Sequence, residues 1–203
     1  MKLYLSPGAC SLADHIALNE AGIAFQPVKV DLKAGRTEDG RDYKTINPKG
    51  YVPALEFDDG DLLTENVAIL SWISELGRAG GEEGLSERLA RFRLLEMLAF
   101  ISTELHKSFK PFFSPDADEA SKAAAGRQIG QRLQLIEDWI EGDYLFGSET
   151  SVADAYLFVM LTWAKKNGLA LPGGLEGYMQ RMAARPAVRR ALAEEGLSAP
   201  AAA

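Results

Sequence analysis

The sequence has little of the chemistry that binds metals or forms disulfides. Cys10 is the single cysteine, and His15 and His106 are the two histidines among 203 residues. One cysteine excludes an internal disulfide and a thiolate zinc cluster. No HExxH-type spacing is present either. We therefore expect no bound metal.

Long apolar runs and a surplus of positive charge are also missing. No apolar run approaches the ~18–20 residues that span a membrane, and the N-terminal run stops at Pro7-Gly8, too early for a signal peptide. We expect a cytoplasmic protein with no membrane partner. The net charge is −7, from 29 acidic and 22 basic residues. No Lys/Arg cluster supplies the basic face of a nucleic-acid-binding protein, so we expect no nucleic-acid partner.

The first eighty residues alternate short strand patterns with helix patterns. A strand, a helix and a second strand in right-handed order predict parallel pairing of the two strands. Two apolar runs around an Asp-Gly turn predict a hairpin, and Thr64 predicts the N-cap of the next helix. The result is a four-stranded mixed sheet with helices on its faces. The predicted elements are strands at 2–5 and 27–30, a helix from Cys10 to about Gly22, an irregular turn near 43–46, and hairpin strands at 54–57 and 61–63.

The strand pattern stops after a glycine-rich segment at 78–84, which predicts a linker. Everything beyond it has helical periodicity, so the fold class is α/β plus all-α. Ser151 and Asp154 match an S-x-x-D capping box, which is a folding device. The predicted helices lie at 85–110, at about 119–141, at 151–167, and on either side of Arg185-Pro186.

Cys10 follows a Pro-Gly loop at the predicted start of a helix. Free amides and the helix macrodipole stabilise an anion there, which favours a thiolate or a thiol donor. A buried structural cysteine is the alternative. The sequence Cys10-Ser11-Leu12-Ala13 lacks the second cysteine of a CxxC pair, which excludes dithiol redox chemistry.

Three further segments carry groups that can bind a small polar ligand. The Val52-Pro53 pair precedes a predicted strand; a cis bond would offer its backbone to a peptide-like ligand, and a trans turn is the alternative. Glu65 and Asn66 open a helix whose amides can hold a carboxylate while Glu65 pairs with an amine; plain helix capping is the alternative. His106 and Lys107 can present donors to a thiol or an anion, although a lone helical histidine is more often an ordinary packing partner.

Five segments together resemble the cytosolic glutathione transferases, and most closely the bacterial beta class. In chain order they are MKLYLSPGACSLADHIAL, NPKGYVPALEFDDGDLLTENVAI, TELHKSFKP, GSETSVADAYLF and MQRMAARPAV. They cover nearly the whole chain. The resemblance implies a thioredoxin-like glutathione-binding domain at 1–80 and an all-helical domain at 85–203 that carries the electrophile-site wall and the dimer contacts. It also implies a homodimer. Detoxification is one physiological role that it allows, and antibiotic binding, peroxide reduction and catabolism are the alternatives.

The resemblance also implies which residues contact glutathione. Cys10 matches the cysteine that contacts the glutathione sulfur and can form a mixed disulfide with it, and His106 and Lys107 match residues near the thiol, so Cys10 and His106 are the implied catalytic pair. Thr103 and Glu104 match positions that reach the glutathione of the partner subunit. The other implied contacts are Val52 and Pro53 at the cysteinyl backbone, Glu65 and Asn66 at the γ-glutamyl end, and Arg36 at the glycyl carboxylate. Asn66 departs from the usual Ser, Thr or Gly, and Arg36 stands in for a lysine usual near position 35.

The implied reaction is attack of the glutathione thiolate on an electrophilic carbon of an apolar cosubstrate. Phe109, Phe113 and Trp163 are candidates for the apolar wall, with ordinary core packing as the alternative. Two other functions stay open. One is a glutathione-dependent thiol-disulfide reductase or peroxidase that uses Cys10; the other is a non-enzymatic binding or regulatory protein of the same fold.

Overall fold

The computed structural model describes residues 1–76 and 85–199. The predicted linker at 78–84 lies outside these residues. The described residues form two compact units, one made of 1–76 with 183–199 and the other of 85–182. Within the described ranges, no helix is both long and apolar enough to cross a membrane.

The first unit is built on a mixed sheet. Its strands are β1 (Lys2–Leu5), β2 (Gln26–Asp31), β3 (Arg36–Thr37), β4 (Ala54–Glu56) and β5 (Leu62–Thr64). They lie in the order β3-β2-β1-β4-β5. The β1–β2 pair is parallel, as predicted, and the other neighbours are antiparallel. The expected four strands become five, because the two-residue β3 is too short for a period-2 apolar pattern.

Eight α-helices are described. They are α1 (Leu12–Glu20), α2 (Asn66–Leu76), α3 (Leu85–Phe100), α4 (Lys110–Phe113), α5 (Glu119–Trp139), α6 (Val152–Lys166), α7 (Gly173–Ala184) and α8 (Pro186–Glu195). Short 3₁₀ turns lie at Tyr43–Thr45 and His106–Phe109, with a π-helical turn at Ile101–Leu105. The long helix predicted at 85–110 is therefore interrupted by the π turn and the second 3₁₀ turn.

Two predicted helix starts are too early, by two residues at α1 and by one residue at α2. Helix α1 begins at Leu12, so Cys10 precedes it and Ser11 occupies the N-cap position. Helix α2 begins at Asn66, and Thr64 belongs to β5 instead of capping the helix. A tight turn that leads into a helix has the same composition as the first helical turn, which explains both errors.

The sheet is buried on both faces. Leu3 and Leu5 alternate along β1 with Tyr4, and all three are fully buried. Successive side chains of a strand point to opposite faces, and Tyr4 packs with Val28, Val30, Tyr43, Val52 and Ala54. Helix α8 contacts α1, which groups α8 with the first unit, although the expected boundary assigned every residue after 85 to the helical domain.

The second unit is organised around α6. Residues Leu157 to Leu161 of this helix are all fully buried, as expected of a helix that is apolar on every side. Its start is held by Asp154, whose carboxylate is also fully buried. Asp154 accepts hydrogen bonds from the Ser151 amide (2.7 Å), the Ser151 hydroxyl (2.6 Å), the Leu145 amide (2.9 Å) and the Tyr178 hydroxyl (2.6 Å). The predicted capping box is confirmed, and it also ties α6 to α7.

We expect Asp154→Ala to lower the free energy of unfolding by about 3 kcal/mol, because it leaves several buried donors without an acceptor. Ser151→Ala, the matched control, removes one hydroxyl and should cost about 1 kcal/mol. Urea unfolding would measure both losses of free energy, provided that the dependence of the unfolding free energy on urea concentration is unchanged. Equal shifts for the two variants would contradict the role of Asp154 as the shared acceptor.

Candidate functional site

Cys10 lies in a tight turn between β1 and α1. The Ala9 amide donates to the Ser6 carbonyl oxygen (2.9 Å), and the Leu12 amide donates to the Ala9 carbonyl oxygen (3.1 Å). Gly8 has a φ of 72°, which only glycine adopts without steric cost. The turn therefore places Cys10 directly before the helix.

The Cys10 thiol is partly buried and donates a hydrogen bond to the Val52 carbonyl oxygen at 3.4 Å. Burial raises the pKa of Cys10 to about 12, and the neighbouring Asp14 carboxyl acts in the same direction. The amides of Cys10 and Ser11 act in the opposite direction and are outweighed. Of the two expected forms of Cys10, the structure favours the thiol donor over the thiolate.

Val52 lies against this thiol, and Pro53 follows it. The bond between them is cis, which is the isomer that the resemblance implied. Val52 is only 4% exposed. Its carbonyl oxygen is the acceptor for the Cys10 thiol, so the strand start and the Cys10 turn meet.

Glu65 has an unusual backbone conformation. Its φ of 78° is the only positive φ at a non-glycine residue among residues 1–76 and 85–199, and such conformations cluster at functional sites. Its Oε1 atom lies 2.5 Å from Lys49 Nζ and accepts from the Tyr51 hydroxyl at 2.7 Å. Lys49 also donates to the Thr64 hydroxyl oxygen at 2.9 Å. Lys49 and Tyr51 were not predicted, although both lie just before the Val52-Pro53 pair that was.

Asn66 is placed differently from the expectation. Its side-chain Nδ2 donates to the Cys10 carbonyl oxygen (2.9 Å) and to Asp14 Oδ2 (3.1 Å). Both N–H bonds of this amide are therefore used inside the protein. Asp14, which the sequence analysis missed, is fully buried, and burial raises its pKa well above the ordinary value. The Asn66 side chain supports Cys10, which leaves the backbone amide of Asn66 as the group that can face a ligand.

Arg36 lines a cavity of about 710 Å³ beside the Cys10 turn. Ser6 and Pro7 of the turn form one side of this cavity, and residues 29–34 form much of the other. The Arg36 side chain also donates to the Gly40 carbonyl oxygen at 2.8 Å. A cationic side chain therefore lies on the cavity wall, where the resemblance implied a contact to a carboxylate.

The second unit holds the other predicted contacts, at and after the π turn. The Thr103 hydroxyl donates to the Ala99 carbonyl oxygen (2.9 Å), and Glu104 pairs with Arg132 (2.9 Å). Both residues belong to the π turn, a feature that occurs often at functional sites. Lys107 follows in the adjoining 3₁₀ turn.

His106 is largely buried, and its Nδ1 atom lies 2.6 Å from the Tyr156 hydroxyl. Burial lowers the pKa of His106 to about 4, and the charge of Lys107 adds to this effect. The imidazole is therefore neutral near pH 7. Tyr156 was not predicted, because only the packing of α6 reveals that it faces His106.

The three aromatic residues predicted for an apolar wall do lie together. The Trp163 ring is 4.8 Å from Phe113, 5.5 Å from Phe109 and 5.1 Å from His106, measured between ring centroids. Phe109 is fully buried and Trp163 is 7% exposed, whereas Phe113 is 56% exposed. Phe109 is thus a core residue, and Phe113 presents the open surface of the cluster.

The chain matches known families over both units. The family model described as glutathione S-transferase, N-terminal domain, matches residues 9–76, and the one described as glutathione S-transferase, C-terminal domain, matches residues 100–186. Glutathione S-transferase GstA of Escherichia coli O157:H7 is 44% identical, covering 97% of this chain and all of the relative. Glutathione S-transferase GST-4.5 of Xanthomonas campestris is 37% identical, with coverage of 98% and 100%.

Solved structures agree with these relatives. A sphingomonad glutathione S-transferase complexed with glutathione is 46% identical, with a TM-score of 0.87 over 98% of this chain and all of that one. A bacterial beta-class enzyme from Sphingomonas chungbukensis is 43% identical, with a TM-score of 0.85 and the same coverage. The thioredoxin-like first unit, the helical second unit and these full-length matches lead to one conclusion: the chain belongs to the glutathione S-transferase family.

Proposed function

We propose that this protein transfers the thiol of glutathione to apolar, electrophilic small molecules. The observation that carries the proposal is the meeting of Cys10, Val52 and Glu65 in one unit. The Cys10 thiol bonds the Val52 carbonyl, and Asn66, the neighbour of Glu65, bonds the Cys10 carbonyl. The thiol of Cys10, the exposed carboxylate of Glu65 and the backbone of Val52 together suit a cysteine-containing peptide that ends in an α-amino acid group.

Cys10 serves as the hydrogen-bond donor to the glutathione sulfur. When glutathione binds, the Cys10 thiol turns from the Val52 carbonyl to that sulfur, and the Val52 backbone pairs with the cysteinyl backbone. A donor to the thiolate favours its charged form and lowers the glutathione pKa from about 8.5. The proton of the glutathione thiol passes to water, the thiolate attacks the electrophilic carbon, a C–S bond forms, and the leaving group departs with its electron pair. Cys10 keeps its proton throughout.

The remaining contacts follow the polar groups of glutathione. Glu65, held by Lys49 and Tyr51, pairs with the γ-glutamyl amine. The backbone amides at the start of α2, that of Asn66 among them, hold the adjacent carboxylate. Arg36 on the cavity wall binds the glycyl carboxylate, in place of the lysine usual in the family.

The helical unit supplies the cosubstrate side. Neutral His106 with Lys107 contributes donors near the thiol, and Phe113 with Trp163 forms the apolar wall. The range predicted for a helical domain in this role was 85–203, of which 183–199 group with the first unit. The proposed setting is the cytoplasm and the proposed role is detoxification.

The protein is proposed to act as a homodimer, in which Thr103 and Glu104 reach the glutathione of the partner subunit. Support comes from α3, where three large apolar residues are exposed. Leu89, Phe92 and Leu95 have exposed fractions of 54%, 67% and 42%. Apolar side chains grouped in this way are typical of a protein–protein contact.

The raised pKa of Cys10 disfavours the alternative of a thiol-disulfide enzyme, which needs a Cys10 thiolate.

The variant Cys10→Ala separates the two functions. For a transferase, we expect kcat/KM for conjugation of a model aryl halide to fall about tenfold, since one hydrogen bond to a charged sulfur is lost. Complete loss of conjugation with unchanged glutathione affinity, together with a mixed disulfide trapped on the wild type, would favour the thiol-disulfide enzyme. A wild type that neither binds nor turns over glutathione would favour the non-enzymatic alternative.

Phe113→Ala should raise KM for an apolar cosubstrate about tenfold and leave the glutathione affinity unchanged, because an exposed aromatic contact is removed. Phe146→Ala is the matched control. This ring is also exposed but belongs to a different group of residues around Trp139. Steady-state kinetics with each substrate varied in turn would measure the effect. If both variants raise KM equally, Phe113 has no special part in the apolar wall.

Sedimentation analysis tests the dimer. We expect the wild type to sediment as a dimer at micromolar concentration, and Phe92→Glu to shift it to the monomer, because a charge is placed in the proposed apolar contact. The monomer should also bind glutathione more weakly, as it lacks the partner's contribution. A wild-type monomer that binds glutathione normally would rule out the shared site.

A further inference from the structure

A buried carboxylate at the end of α8 is bonded to the turn that carries Cys10. The Gly8 amide donates to Glu195 Oε2 at 2.8 Å. The other carboxylate oxygen, Oε1, lies 3.0 Å from His15 Nδ1. The side chains of both Glu195 and His15 are fully buried. The hydrogen bond between Gly8 and Glu195 joins residues 187 positions apart, so no local pattern in the sequence predicts it.

His15 is held between two carboxylates that differ in their further contacts. Its Nε2 atom lies 2.6 Å from Glu194 Oε2, and its ring meets the edge of Phe25. Glu194 is one-third exposed and also accepts from Arg190 at 2.9 Å. Glu195 accepts a hydrogen bond from the Cys10 turn, through the Gly8 amide. The neighbouring acids therefore form a natural pair for comparison.

The residues after Glu195 make a second contact with the same glycine. Gly196 ends α8 in the left-handed conformation, with φ of 74°, and the Leu197 amide donates back to the Leu192 carbonyl oxygen at 2.8 Å. This closure is of the Schellman type, and it returns the chain toward Gly8. A Cβ on Gly8 would lie 3.7 Å from Leu197 Cδ1. Leu197 thus covers the turn that Glu195 bonds.

We infer that the segment Glu195–Leu197 is a clamp on the Cys10 turn, and that Glu195 is a positioning residue for glutathione binding. The inference rests on the proposed function. Gly8 stands between Pro7, which lines the cavity of about 710 Å³, and Cys10, which carries the thiol. An amide held by a buried carboxylate is a charge-assisted hydrogen bond, about twice as strong as a neutral one. The clamp therefore acts on the one turn that carries both a wall residue of the cavity and the thiol.

The test compares Glu195→Ala with Glu194→Ala. Each variant removes one carboxylate from His15, but only the first releases the Gly8 amide. We expect Glu195→Ala to weaken glutathione binding about tenfold by calorimetry and to accelerate alkylation of Cys10 by iodoacetamide about tenfold, as the turn opens more often. Glu194→Ala should stay within about twofold of the wild type in both measurements.

Rescue separates positioning from simple destabilisation. Glu195→Gln keeps an oxygen that can accept a neutral hydrogen bond from Gly8, so both values should lie between those of Glu195→Ala and the wild type. If Glu195→Ala does not fold, Leu197→Ala uncovers the same glycine without touching a carboxylate, and it should accelerate alkylation in the same direction. Equal effects of Glu194→Ala and Glu195→Ala, or no acceleration in Leu197→Ala, would overturn the clamp.

The proposed function fails in a distinguishable way. Alkylation of Cys10 requires neither glutathione nor turnover, so it reports on the clamp alone. A wild type that conjugates nothing, while Glu195→Ala still exposes Cys10, would count against the transferase and leave the clamp intact. If the wild type conjugates normally but Glu194→Ala and Glu195→Ala have equal effects, the transferase is supported and the clamp is overturned.

Discussion

The hydrogen bonds that Asn66 donates to the Cys10 carbonyl and to Asp14 are the constraint on which the glutathione-binding unit depends. They join the start of α2, which carries Glu65, to the turn that carries the thiol. Burial raises the pKa of Asp14 well above its ordinary value. Glu65 is paired with Lys49. The bonds from Asn66 therefore fix the distance between the exposed Glu65 carboxylate and the Cys10 turn.

Magnitudes explain why the structure favours the thiol form of Cys10 over the thiolate. Placement at a helix start stabilises an anion by about 0.3–1 kcal/mol, which corresponds to less than one pKa unit. Burial can move a pKa by up to about 3–5 units. The sequence shows the helix start but not the burial, and burial is the larger effect at Cys10. The turn preceding α1, which sets Cys10 back from the helix, weakens the smaller effect further.

Local sequence patterns predicted the features of the fold that depend on residues close together in the chain. The parallel β1–β2 pair, the hairpin, the helix order and the Ser151–Asp154 capping box follow from periodicity and from short-range side-chain chemistry. The partners Tyr156, Lys49 and Glu195 were not predicted, because a polar residue gives the same periodic pattern whether a distant segment covers it or water does. Asp14 and His15 did leave a signal. Both stand within a helix that is otherwise apolar from Leu12 to Leu18, which indicates buried polar groups with partners elsewhere in the chain.

The two units differ in how strictly their sites are specified, and this difference suits a transferase with one constant and one variable substrate. In the first unit, directional hydrogen bonds hold Cys10, Val52 and Glu65, and a site of that kind rejects a ligand that lacks the matching polar groups by large factors. In the second unit, Phe109 and Trp163 are committed to packing, while Phe113 offers an open ring. An apolar surface discriminates by only about 1–3 kcal/mol per methylene. In the proposed function, selectivity for glutathione therefore follows from the polar unit, and tolerance toward the electrophile follows from the aromatic one.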